Sequence, residues 1–125
     1  MSPLAKPADW VVSPPLAPDG PAIDADHLAR MTLGERELER EVLGLFAQQA
    51  NDLLVRLEKL PREGAALAHT LKGSARGIGA FMVAEAADNL EQRLRQGLPV
   101  TAEVATLHQA VGCALAAIAE RLQTP

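Results

Sequence analysis

Aromatic residues are nearly missing from this chain. Its 125 residues include no tyrosine, one tryptophan and two phenylalanines, and the apolar content is mostly Ala, Leu and Val. Strands favour aromatic and β-branched side chains, so this composition points away from a sheet and toward closely packed helices. Cysteine is equally scarce. Cys113 alone cannot form an intramolecular disulfide, which fits a reducing compartment. Basic residues are not in excess: the formal net charge is -4. A nucleic-acid binder usually carries a basic stripe, so proteins or small molecules are the expected partners. No apolar run approaches the ~18 residues of a membrane span. The N-terminus also lacks the basic region and apolar core of a signal peptide. The expected location is the cytoplasm, away from membranes.

Proline, by contrast, is crowded at one end. Six of the nine prolines, Pro3, Pro7, Pro14, Pro15, Pro18 and Pro21, fall within residues 1–21. Repeated proline removes backbone donors and fixes φ, so this stretch reads as an extended arm, either free or packed through Trp10, Val11, Val12 and Leu16. Residues 22–125 form the expected domain. Asp24 is placed to cap a short helix with Ile23 and Leu28 as its apolar contacts. A long helix is predicted over Gly34–Leu60, stopped by Pro61. Leu38, Val42, Leu45, Phe46, Gln49, Leu53, Leu57 and Leu60 make its core stripe. Leu43, Ala47, Ala50 and Leu54 make a second, outward apolar stripe, read first as core against the short first helix and second as a docking face for a receiver, a second copy or the proline-rich arm. Further helices are predicted over Arg62–Ile78, over Phe81–Gln96, and from a Thr101 cap to the end. Gly79 and Gly97 mark the turns. Short connections between four amphipathic helices predict an all-α, antiparallel up-down four-helix bundle with a short N-terminal helix over one end.

The stretch "AHTLKGSARGIGA" (68–80) holds the chemistry. On a wheel at about 100° per residue, Leu67, Thr70, Leu71, Ser74 and Ile78 share one side, while His69, Lys72, Gly73 and Arg76 share the other. His69 therefore faces away from the predicted core. Gly73 is costly inside a helix, by about 1 kcal/mol against alanine, but it clears space beside the imidazole. Lys72 can meet an anion, and Arg76 extends the positive surface. An exposed nucleophile, a cation and a cleared approach are parts suited to phosphoryl transfer, where positioning and charge stabilisation dominate. His69 lies eleven residues before residue 80 and Glu91 eleven after it. In an antiparallel hairpin the two reach the same height. Glu91 is either an ordinary solvated glutamate or the acceptor for the His69 Nδ1–H, which would leave Nε2 as nucleophile.

"HTLKGSARGIGA" resembles the signature of histidine-containing phosphotransfer (HPt) domains, H-x-L-K-G-S/A-A-x-x-x-G-A. The shared positions are His69, Leu71, Lys72, Gly73, Ser74, Ala75, Gly79 and Ala80. Leu90 and Glu91 of "NLEQ" match the "LE" common on the family's next helix, and "VLGLFAQQANDLLVRLEKL" and "IDADHLARM" resemble its preceding helices. The similarity spans residues 22–97, and the last helix fits by periodicity alone. The resemblance implies a stand-alone, monomeric phosphorelay intermediate in two-component signalling. It would take a phosphoryl group from the aspartate of one response-regulator receiver domain, including those of hybrid histidine kinases, and pass it to another. His69 would be the phosphoacceptor at Nε2, Lys72 would neutralise phosphoryl oxygens, Gly73 would admit the receiver and Glu91 would orient the ring. Mg²⁺ would belong to the receiver, so no cofactor or metal of this chain's own is expected. Nothing resembles the ATP-binding boxes of a kinase, so the chain reads as a phosphocarrier and not a turnover enzyme.

Other polar residues carry weaker signals. Gln49 reads first as a buried, hydrogen-bonded glutamine and second as a contact for a receiver. His108 lies within the predicted core stripe of the last helix (Val104, Leu107, Val111, Leu115, Ile118 and Leu122). His27 reads as solvated and Cys113 as a spectator. An alternative function is a non-catalytic four-helix module that binds a kinase or receiver to regulate it. The dimerisation helices of a histidine kinase are disfavoured, since Thr70 follows His69 and the next proline is Pro99.

Overall fold

Asp24 opens the first helix as the sequence suggests. Its backbone is extended and its Oδ1 accepts the His27 amide N–H at 3.0 Å, satisfying one of the unpaired donors at a helix start. The computed structural model describes residues 21–123. The proline-rich arm expected over 1–21 thus lies, but for Pro21, outside the described residues. The helices are α1 (Ala25–Met31), α2 (Arg36–Leu57), α3 (Gly64–Ile78), α4 (Phe81–Arg95) and α5 (Thr101–Gln123). Among the described residues there is no strand, and the fold class is all-α.

Backbone geometry explains where the expected boundaries shift. Gly34 has a φ of 72° and donates its N–H to the Ala29 carbonyl, so it closes α1 and cannot start α2. Leu60 has a φ of 49°, which takes it out of α2 before Pro61 is reached. Thr101 is the first residue of α5, not its cap, and the Val100 carbonyl accepts from Val104 N–H.

Gly79 ends α3 with a φ of 86°. Its carbonyl accepts the Asp24 N–H at 2.9 Å, and a Cβ added to it would stand 3.0 Å from the Asp24 carbonyl oxygen. One glycine therefore both turns α3 into α4 and docks the start of α1. Gly79→Ala combines left-handed strain with a backbone clash. It should cost about 2 kcal/mol or more, read as a fall of the thermal midpoint by roughly 8 °C or more.

α3 packs most closely on α4, α2 packs on α3 and α5, and α4 packs on α5, so the four longer helices neighbour one another in a ring. α1 packs on α3. The core is filled by Leu28, Leu43, Phe46, Leu57, Leu71, Val83, Leu90, Leu107, Val111 and Ile118, with alanines between them. On α2 the buried face is turned by roughly 70°, at 100° per residue, from the expected stripe. Leu43, Ala50 and Leu54 are core, whereas Leu45 is 61% exposed and Leu60 is also exposed. Glu39 lies on the same buried face, where Arg121 of α5 reaches its Oε2 at 3.1 Å. Arg40 Nη1–H also donates to the Leu122 carbonyl, which further ties α2 to the end of α5.

Two histidines differ from expectation. His108 is exposed, not core, and its Nδ1 is 2.8 Å from Glu58 Oε2. His27 is half-buried: its Nε2–H donates to the Gly77 carbonyl at 3.2 Å and its ring meets Phe81 edge-on at 5.2 Å. α5 is long and apolar enough by composition to cross a membrane, contrary to the expectation that no segment comes near. Much of that apolarity is alanine, and its Leu107, Ala110, Val111, Ala114 and Ile118 face is buried against the other helices.

Candidate functional site

Small side chains bring α3 and α4 close. Ala68 and Ala75 on α3, and Ala84 and Ala87 on α4, are buried almost completely. The hairpin register then pairs residues equidistant from the turn. His69 comes level with Glu91, and Lys72, eight residues before residue 80, comes level with Asp88, eight after it.

Glu91 is the hub. Its side chain is 9% exposed, and both oxygens are occupied. His69 Nδ1 lies 3.2 Å from Oε1 and 3.1 Å from Oε2. Lys72 Nζ is 2.9 Å from Oε1. Arg95, one turn along α4, donates to Oε2 from Nε at 3.0 Å and from Nη2 at 2.9 Å. These partners, Lys72 foremost and then Arg95 and His69, outweigh the cost of burial and hold the Glu91 carboxyl down at about 2. Glu91 is therefore an anion at any physiological pH and can only accept hydrogen bonds. The nitrogen facing it, Nδ1, must carry the proton. In the neutral imidazole, Nε2 then keeps a free lone pair. The His69 side chain is 63% exposed, and Nε2 has no hydrogen-bond partner among the described residues.

Lys72 sits between two carboxylates, with Asp88 Oδ1 at 3.0 Å in addition to Glu91. Glu91 first and Asp88 second raise its pKa above the ordinary lysine value. The sequence reading placed Lys72 as a cation beside the imidazole, able to meet an anion. In the structure its ammonium is held by the Asp88 and Glu91 carboxylates. Gly73 is exposed, and a Cβ there would meet nothing within 4 Å. No packing among the described residues requires glycine at that position. Arg76 is exposed on the same face and makes no side-chain hydrogen bond or ion pair with the described residues. Gln49 is not a buried, hydrogen-bonded glutamine. It is half-buried and lines an open, largely apolar concavity of about 450 Å³ with Leu45, Phe46, Ser74 and Ile78, between α2 and α3.

The structure thus brings His69, Lys72 and Glu91 into one cluster. Gly73 and Arg76 lie beside it, and Gln49 lines a neighbouring surface. Two members were missed in the sequence. Asp88 has the same register relation to Lys72 that Glu91 has to His69, and Arg95 is the i+4 partner of Glu91. Both signals were present. Among the described residues, no group of three His, Cys, Asp or Glu side chains is placed to hold a metal ion.

Compared with known families, the chain matches the model described as the Hpt domain over residues 41–124. That span takes in α5, which the resemblance reached by periodicity alone, and leaves out α1. Among curated proteins, no sequence matches the chain.

Proposed function

This chain belongs to the Hpt domain family, whose members carry phosphoryl groups on a histidine in phosphorelays and interact with receiver domains; we propose that His69 is its phosphoacceptor, loaded from one receiver aspartate and unloaded to another. The observation that carries this is the Glu91 carboxylate on His69 Nδ1, which leaves Nε2 free and exposed. In the transfer step the Nε2 lone pair attacks the phosphorus of the receiver's aspartyl phosphate. The N–P bond forms as the P–O bond breaks, and the electron pair returns to the aspartate carboxylate. The Nδ1 proton stays in place, and the positive charge gained by the ring rests against Glu91. Lys72 and Arg76 are the cations for the phosphoryl oxygens. Mg²⁺ is the receiver's, and this chain supplies no cofactor. The reverse step, attack of a receiver's aspartate carboxylate oxygen on the phosphorus, forms the P–O bond as the N–P bond breaks and returns the electron pair to Nε2, so this histidine can serve as donor or acceptor.

The docking face runs from His69 across α3 toward α2. Gly73 and Gly77, at i and i+4, leave a strip without side chains between His69 and the concavity of Leu45, Phe46, Gln49, Ser74 and Ile78. A bare helix surface beside an apolar depression suits close approach of a folded partner. The same reading takes the four longer helices as an antiparallel up-down bundle with α1 over one end, supported by their ring of neighbours and short turns. It takes residues 22–125 as the working domain, residues 1–21 as an arm, the state as monomeric and the setting as cytoplasmic.

Gly73 separates function from stability. Because an added methyl meets nothing, Gly73→Ala should stabilise the fold by about 0.5–1 kcal/mol in chemical denaturation. Gly73→Phe should fold and yet slow transfer from a phosphorylated receiver severely. Unchanged transfer in the phenylalanine variant would remove Gly73 from the docking face. The principal test is labelling: a phosphorylated receiver should transfer an acid-labile phosphoryl group to this protein. Stoichiometric binding without any such label would instead favour a non-catalytic binding module.

A further inference from the structure

Two carboxylates hold Lys72, and only one of them touches the imidazole. Glu91 contacts His69, Lys72 and Arg95. Asp88 contacts Lys72 through Oδ1 at 3.0 Å and Gln92 through Oδ2, where the Gln92 amide donates at 2.9 Å. Orienting His69 needs nothing from Asp88. Lys72 is well covered, with its side chain 14% exposed, and its ammonium is therefore committed to these acceptors in the unphosphorylated protein.

A phosphoryl group on Nε2 changes that competition. It brings anionic oxygens to the same face of α3, one turn from Lys72. A lysine ammonium on a flexible four-carbon stem can exchange acceptors. Arg95 is less free to do so, since its planar guanidinium already makes two bonds to Glu91. The charges of Lys72, Arg95, Glu91 and Asp88 cancel, so the cluster offers a dianion little net attraction until Lys72 leaves Asp88.

Resting on the phosphotransfer reading above, we infer that Asp88 is a positioning residue: it holds Lys72 against Glu91 and competes with the phosphoryl oxygens for the ammonium, and so sets how readily His69 is loaded. Glu91 supports the reaction, and Asp88 restrains it. Gln92 steadies that restraint from the far side.

The experiment uses the full chain and phosphoramidate as a small phosphodonor. His69 Nε2 forms the N–P bond while the donor's P–N bond breaks and ammonia leaves with the electron pair and the protons it already bears. Asp88→Asn keeps the shape and can still accept from Gln92, but it loses the charge. Its loading rate, followed by intact mass at equal donor concentration, should rise roughly three- to tenfold, as expected for one unit charge in a partly exposed site. The same substitution in a Lys72→Met background should give no gain. Glu85→Gln, which removes an exposed acid one turn earlier on α4, should also leave the rate unchanged. Gln92→Ala, which loosens Asp88 without altering charge, should give a smaller gain and reads the same competition if Asp88→Asn folds poorly. A rate for Asp88→Asn equal to wild type overturns the inference. So does a gain that survives without Lys72, or one matched by Glu85→Gln. In those cases the wild type is still labelled and the phosphotransfer reading stands. If the folded wild type takes up no phosphoryl group, that reading fails and the inference falls with it.

Discussion

His69→Gln is expected to abolish phosphoryl uptake completely while leaving helical content and thermal midpoint close to the wild type. The two halves of that expectation have separate causes. Uptake depends on the lone pair of Nε2, for which a glutamine amide has no substitute. Stability depends little on this residue. Its side chain is 63% exposed, and its one side-chain partner, Glu91, retains Lys72 and Arg95 after the change. Surface substitutions of this kind usually stay within about 0.5 kcal/mol. The other histidines cannot stand in for it. His27 is turned toward the Gly77 carbonyl and His108 toward Glu58, each away from the Lys72–Glu91 cluster. Labelling by a phosphorylated receiver, paired with a thermal melt of the same sample, checks both halves. Residual label at the wild-type level would remove His69 from the phosphoacceptor position.

Glu91→Gln is expected to affect both stability and transfer, and pH separates the two. The Glu91 carboxyl is held near 2 instead of its ordinary 4.5, chiefly by Lys72 and then by Arg95 and His69. At about 1.4 kcal/mol per pKa unit, and discounted for solvent around the exposed His69 and Arg95, that depression corresponds to stability on the order of 2 kcal/mol at neutral pH. The folded-state value is below the unfolded one. The contribution is therefore complete above the unfolded carboxylate pKa and disappears as pH falls from there through about 2. Denaturant melts of wild type and Glu91→Gln should differ most at pH 5–7 and converge toward pH 2. A gap that stays constant down to pH 2 would mean that the carboxylate charge is not the source. Transfer at neutral pH should fall by roughly ten- to hundredfold, because an untethered imidazole loses its fixed orientation and the anion beside its charged form.

The ends at Asp24 and Gly79 and the face that carries His69 were legible because each rests on local chemistry. Asp24 caps, Gly79 turns, and the i, i+3, i+4 and i+7 spacing puts His69, Lys72, Gly73 and Arg76 on one exposed or half-buried side. The relation of Glu91 to His69 was legible from hairpin symmetry about residue 80. The orientation of α2 was not. It carries two apolar stripes, and which of them is buried depends on how α3 and α5 pack against it, where Arg121 of α5 meets Glu39. Long-range pairing of that kind leaves no periodic trace. His108 was misjudged for a related reason: it sits at the edge of an alanine-rich helix, and its partner Glu58 is distant in sequence. The state of Lys72 was also hidden. Helical spacing gives the face a side chain occupies, but not the acceptors that the neighbouring helix brings to it. The puzzle of glycine inside α3 divides accordingly. Gly79 is required by backbone geometry, whereas a Cβ at Gly73 or Gly77 would meet nothing within 4 Å among the described residues.

The most direct measurement is phosphorus–proton correlation NMR on the wild-type protein after incubation with a phosphorylated receiver. Phosphotransfer at this site predicts one phosphorus signal, correlated to the His69 ring through Nε2 and absent in His69→Gln. A phosphorus signal on Nδ1, on another residue, or no signal from a protein that demonstrably binds the receiver would contradict it.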